Sequence, residues 1–192
     1  SHGGDGTAAL LSYNSPKWPN SLLYVLDAPS VSNSTLHIYE FDRNVSSFSN
    51  LKELLTISLN STSANSMALS KDGEYLYVAD GDRVDIIDIN ITTGITVKAN
   101  IESSLQISGA SLNYIEKSSL QHKLFLADDA NGVYMVDISN SSAPTLLATL
   151  PDPKSKATQK LLSSKDGRYL YVLGQCSGLI VYDVLGSSFE LV

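Results

Sequence analysis

The sequence predicts an all-β fold of four repeated, four-stranded antiparallel units, and three observations carry that expectation. Related segments recur at a period near 48 residues. Tyr24, Tyr77, Phe125 and Tyr171 stand 53, 48 and 46 residues apart, and Glu40, Asp88, Asp137 and Asp183 stand 48, 49 and 46 apart. Apolar runs are short and rich in β-branched and aromatic residues, with none at the 3.6-residue helical period. Asp-Gly and Asn-Gly turns separate paired runs. One four-stranded sheet cannot bury both of its apolar faces, whereas stacked neighbours around an axis do so, which is the β-propeller architecture.

The unit is plainest at residues 123–144, KLFLADDANGVYMVDISNSSAP, where strands at 124–126 and 133–136 flank an Asp-Ala-Asn-Gly turn. Residues 1–6 are expected to be a tail or linker rather than a signal peptide. The first blade, about 7–61, has strands at 8–11, 22–27, 36–41 and 54–59. The second, about 62–103, has strands at 66–69, 75–80, 84–89 and 95–101. The third, about 104–151, adds 110–114 before the opening unit and 145–150 after it. The fourth, about 152–192, has strands at 160–162, 169–172, 179–183 and 189–192.

Composition sets outer bounds. At 192 residues and 20.6 kDa, with 43% hydrophobic residues, the chain can bury a sizeable core. A formal net charge of −7 argues against nucleic acid or an anionic membrane as partner, because both require clustered Lys and Arg. No apolar run approaches the roughly 20 residues of a membrane span. Cys176 is the single cysteine, so no intrachain disulfide forms, and without a CxxC partner it is expected to be inert.

The third strands Val84-Asp85-Ile86-Ile87-Asp88, Val133-Tyr134-Met135-Val136-Asp137 and Leu179-Ile180-Val181-Tyr182-Asp183 resemble the LVIVD-type propeller repeat. The exit at 137–144, DISNSSAP, is similar to that repeat's passage into its outer strand. The runs at 72–78, DGEYLYV, and 166–172, DGRYLYV, also resemble the related YVTN and lactonase-like propellers. The resemblance implies the propeller fold. It leaves function open, since such repeats serve surface, binding and occasionally enzymatic roles. The first repeat departs from the pattern, with Glu40 in place of Asp and Trp18 in its first turn.

Few residues suggest chemistry. Asp80, Gly81 and Asp82 with Asp128 and Asp129 offer oxygen ligands to calcium, but Asp at such positions ordinarily bonds its own turn backbone. Asp88, Asp137 and Asp183 read as a repeated strand-end contact. His2, His37 and His122 lack zinc-ligand spacing, and no GxSxG accompanies the many serines. No catalytic, cofactor or metal residues are therefore expected. Trp18, between prolines, is read either as an exposed contact residue or as packing over the first blade. Tyr24, Tyr77 and Tyr171 are expected to pack between blades.

Asn33, Asn44, Asn60, Asn90 and Asn140 each begin an N-x-Ser/Thr acceptor site, and all five are expected in loops. Asn44, Asn90 and Asn140 follow third strands. The sequence thus suggests a glycosylated extracellular or cell-surface module, non-enzymatic, which recognises a protein or glycan partner through loops or blade edges. The rival reading is a lactonase-like or quinoprotein-like enzyme with a central-channel metal or cofactor. With one cysteine and no strand exchanged between its ends, the set of four is expected to stand within a larger or multi-chain ring, its end faces covered by further blades or by self-association.

Overall fold

The computed structural model describes residues 7–29, 32–42, 51–92, 96–151, 158–175 and 177–192. These form four sheets and, among the described residues, no helix. The first blade comprises β1 (Thr7–Tyr13), β2 (Ser21–Asp27), β3 (Thr35–Phe41) and β4 (Lys52–Ser58). The second comprises β5 (Ala64–Leu69), β6 (Tyr75–Asp80), β7 (Arg83–Thr92) and β8 (Thr96–Gln106). The third comprises β9 (Leu112–Lys117), β10 (Lys123–Asp128), β11 (Gly132–Asp137) and β12 (Thr145–Leu150). The fourth comprises β13 (Thr158–Ser163), β14 (Tyr169–Gly174), β15 (Gly178–Asp183) and β16 (Glu190–Leu191). Each is an antiparallel meander in sequence order.

The repeat register read from the sequence holds in the pairing. Tyr24 lies opposite Ile38, Tyr77 opposite Ile86, Phe125 opposite Met135 and Tyr171 opposite Val181. Some boundaries differ from expectation, and β9 spans Leu112–Lys117 where the sequence predicts a strand at 110–114. β7 runs past Asp88 to Thr92 and β8 reaches Gln106, beyond the boundary at 103, because Asn90 and Ile91 continue to pair with Lys98 and Val97. Asn90 is accordingly a strand residue, not a loop residue.

Side chains alternate across each strand, so every blade offers one face to the blade before it and one to the blade after. Leu22, Tyr24, Leu36 and Ile38 meet Leu76, Val78 and Ile87 in the first core. Tyr77, Val84 and Ile86 meet Leu124, Leu126 and Val136 in the second. Phe125, Val133 and Met135 meet Leu170, Val172 and Tyr182 in the third. Complete burial of one such leucine contributes about 1.5–3 kcal/mol. Four blades thus share three cores. The innermost strands touch in the order β1, β5, β9, β13, and among the described residues no contact of similar extent joins β13 back to β1.

Polar contacts lock neighbouring blades. The Tyr13 hydroxyl donates to the Asp72 carbonyl at 2.8 Å. Gly73, at φ 76°, sits so close beneath the Tyr13 ring that an added Cβ would lie 2.2 Å from Cε1, so only glycine satisfies both the turn and the contact. Lys123 is buried, and its ammonium donates to the carbonyls of Val184 (2.6 Å), Leu185 (3.0 Å) and Gly186 (2.6 Å), tying blade three to blade four.

Candidate functional site

In an up-and-down blade the turn from innermost to second strand always falls at the same end of the arc. Blades two and four build that turn alike, as Ser-Lys-Asp-Gly. The Ser70 hydroxyl donates to Asp72 Oδ1 and accepts from the Tyr75 amide (2.9 Å), while Gly73 N–H returns to the Ser70 carbonyl (3.0 Å). Ser164, Asp166, Tyr169 and Gly167 repeat the pattern, with the corresponding amide bonds both 2.9 Å. Ser and Asp are consumed by the turn, so Lys71 and Lys165 are left to project as exposed side chains.

Blade three has a different connection, residues 118–122, held by Gln121, whose amide group donates to the Gly167 carbonyl at 2.9 Å. Between these turns lies a cleft of about 400 Å³ lined by Leu69, Lys71, Lys117, Ser118, Ser119, Leu120 and Lys165. Three ammonium groups and no carboxylate line it. Lys117 donates to the Ser118 carbonyl at 2.6 Å, and burial pulls its pKa down against the pull of Asp72. Leu120 is exposed beside it. The arrangement can hold an anionic group against a small apolar surface. The Asp-Gly turns are plain in the sequence, whereas the lysine that precedes each, Lys71 and Lys165, carries no turn signal of its own. The recurrence of Lys at one turn position was the available signal.

The carboxylates proposed from the sequence serve different ends. Asp128 bonds its own turn, accepting from the amides of Ala130 (2.7 Å) and Asn131 (2.7 Å), and also accepts from the Ser111 amide just before β9 (2.6 Å). Asp137 and Asp183 accept from the amides two residues on, at 2.8 and 3.0 Å. Asp88 has no such turn to cap because β7 continues through it, and burial raises its pKa.

Asp80 and Asp85 are wholly buried at the opposite end of blade two. Ser104 donates to Asp85, while both Asp80 oxygens lack a partner at hydrogen-bond geometry. Ser61 is near enough to Asp80 to favour its charged form without meeting that geometry. Burial raises both acids. No group of three or more His, Cys, Asp or Glu side chains gathers as a metal site among the described residues.

Trp18 is 8% exposed and belongs to the first core, its indole N–H donating to Glu40 at 3.0 Å. It packs over the first blade and is not offered as a contact residue. Among the acceptor asparagines, Asn33, Asn60 and Asn140 lie exposed in connections and Asn90 exposed on β7. Asn44 and Cys176 lie outside the described residues. Among the described residues no helix is long and apolar enough to cross a membrane.

Fold and repeat together define a β-propeller repeat protein. The LVIVD repeat model matches residues 63–100 and 124–150, that is, most of blades two and three. Blades one and four follow them in register without matching the model. No curated protein matches the chain. Among solved structures, Sqt1 from Chaetomium thermophilum superposes with a TM-score of 0.73 at 16% identity, over 96% of this chain and 46% of that one. The same protein bound to the N-terminus of ribosomal protein L10 gives 0.69 at 17%, over 95% and 46%. The periplasmic gluconolactonase of Pseudomonas aeruginosa gives 0.66 at 20%, over 89% and 53%. These likenesses concern the fold, and the chain spans about half the length of each.

Proposed function

We propose that this chain is a non-enzymatic recognition module that binds an acidic segment of a protein partner at the lysine-lined cleft. The observation that carries the reading is the cleft's lining: Lys71, Lys117 and Lys165 with Leu120 and no carboxylate, in a chain of net charge −7. A propeller of similar fold, Sqt1, is described as bound to a protein N-terminus. The test is fluorescence anisotropy with a glutamate-rich peptide and a lysine-rich peptide of equal length. The acidic peptide binds, and the Lys71→Gln, Lys165→Gln double variant weakens it at least tenfold. Equal affinity in wild type and variant would sink the reading.

The module is proposed to work outside the cell or on its surface and to carry N-glycans. Support comes from the exposure of Asn33, Asn60, Asn90 and Asn140. Unmodified asparagines throughout, in mass spectra of material from the natural source, would reject this. The lactonase reading keeps one support, the fold shared with the gluconolactonase, and hydrolysis of gluconolactone by the purified chain would favour it over recognition.

A further inference from the structure

The lysine cleft shares a wall with a second one. Lys71, Lys117 and Leu120 also line a cleft of about 310 Å³ between blades two and three. On the blade-two side it is bounded by the β5–β6 turn and the start of β6, and on the blade-three side by the 118–122 and 138–144 connections. An extended segment lying over Lys71 and Lys117 therefore meets both clefts at once.

The two differ in chemistry. Tyr77 (4% exposed) and Ile138 (5% exposed) line the second cleft and belong to the core between blades two and three, against which Tyr75 also packs. An apolar side chain entering here extends a core that already exists.

The polar groups of its walls make little demand on a ligand. Asp72 Oδ1 accepts from the Ser70 hydroxyl and from the Glu74 amide (3.1 Å). The Ser141 hydroxyl donates to Glu102 at 3.0 Å and stands 3.3 Å from the Tyr75 hydroxyl. Ser119, His122 and Ser139 are exposed, where water satisfies them. An apolar occupant thus leaves few buried groups without partners, and that is the cost that ordinarily excludes one. Leu120, 64% exposed on the wall common to both clefts, gains cover from the same occupant.

We infer that the two clefts read a composite signal in one protein segment, acidic side chains against Lys71, Lys117 and Lys165 and an adjoining large apolar side chain between Leu120, Tyr75 and Ile138. The inference rests on the acidic-segment reading above and adds the determinant of specificity. Charge draws the segment in and holds it loosely, because exposed ammonium groups remain hydrated. The apolar side chain, desolvated against the blade-two and blade-three core, selects among acidic segments.

The test compares two glutamate-rich peptides of equal length and charge by fluorescence anisotropy. One carries phenylalanine at its centre and the other serine, with glutamates on both sides so that either chain direction is served. The wild-type chain is expected to bind the phenylalanine peptide at least tenfold more tightly, equivalent to about 1.4 kcal/mol. Leu120→Ser, at an exposed position and with unchanged far-ultraviolet circular dichroism, should bring the two peptides to within threefold of each other. The Lys71→Gln, Lys165→Gln double variant should weaken both peptides while keeping their ratio. Equal affinity of the wild type for the two peptides, with binding still lost in the lysine variant, overturns this inference and leaves the acidic-segment reading standing. A tenfold preference that survives Leu120→Ser overturns it too, since the apolar contact then lies elsewhere. If neither acidic peptide binds more tightly than a lysine-rich one, the acidic-segment reading fails and the composite signal fails with it.

Discussion

The indole of Trp18 and the carboxylate of Glu40, the two residues that set the first repeat apart, are bonded to each other at 3.0 Å. Lys52 (3.1 Å) and Asn20 (3.4 Å) donate to the same carboxylate. Burial raises the Glu40 pKa, but these three donors outweigh it and leave the group below the ordinary glutamate range. The contribution is therefore present above that range and is lost as pH falls through the depressed folded-state value. Trp18→Phe should cost about 1.5–3 kcal/mol at pH 7, and less at pH 3. Urea melts at the two pH values check it, and an equal loss at both would contradict the ion-assisted bond.

Asp80 and Asp85 respond in the opposite sense. Burial raises both carboxyls, so their favourable contribution is present below the ordinary aspartate range and lost as pH rises through the folded-state value. At neutral pH the pair costs stability. Asp80→Asn should stabilise the chain by about 1 kcal/mol at pH 7, with the gain vanishing near pH 4. A loss of stability at pH 7 would mean that the charged form is the one the fold requires.

Lys123 was not legible as a structural residue, although the unit around it was. Its partners are backbone carbonyls some 60 residues away, and a carbonyl carries no sequence signal. The repeat and its register were legible because each blade imposes the same alternation on the same positions. Trp18 was ambiguous because its partner, Glu40, was itself a departure from the repeat. The lysine cleft was missed because it draws on three different turns. The extension of β7 was missed because the acceptor pattern at Asn90 reads as a loop signal, while Ile91 and the pairing with β8 make it a strand.

The buried ammonium of Lys123 gives a further expectation. Burial lowers its pKa, against the opposing charges of Asp137 and Asp183, and all three of its hydrogens are spent on carbonyls of residues 184–186. Lys123→Met keeps the stem but strands those acceptors, and should cost about 2–3 kcal/mol. Chemical denaturation measures it. A neutral outcome would show that water replaces the ammonium without loss.

The ring position shared by all four blades separates buried from uncovered sites. Tyr24 and Phe125 are wholly buried between blades, whereas Tyr171 is half-buried on the open face of blade four. Tyr24→Ala and Phe125→Ala should each cost about 3–5 kcal/mol. In dilute solution Tyr171→Ala should cost about 1 kcal/mol, since little apolar area leaves a covered environment. Tyr24 adds a sharper case. Its hydroxyl is buried without a hydrogen-bond partner, and burial drives its pKa upward. Blade three already places phenylalanine at the equivalent position, so Tyr24→Phe removes an unsatisfied group without opening a cavity, and should stabilise by about 1 kcal/mol. Equilibrium urea unfolding of the four variants at low protein concentration gives the comparison. Equal losses for Tyr171→Ala and Tyr24→Ala would mean that the blade-four face is covered even in the monomer.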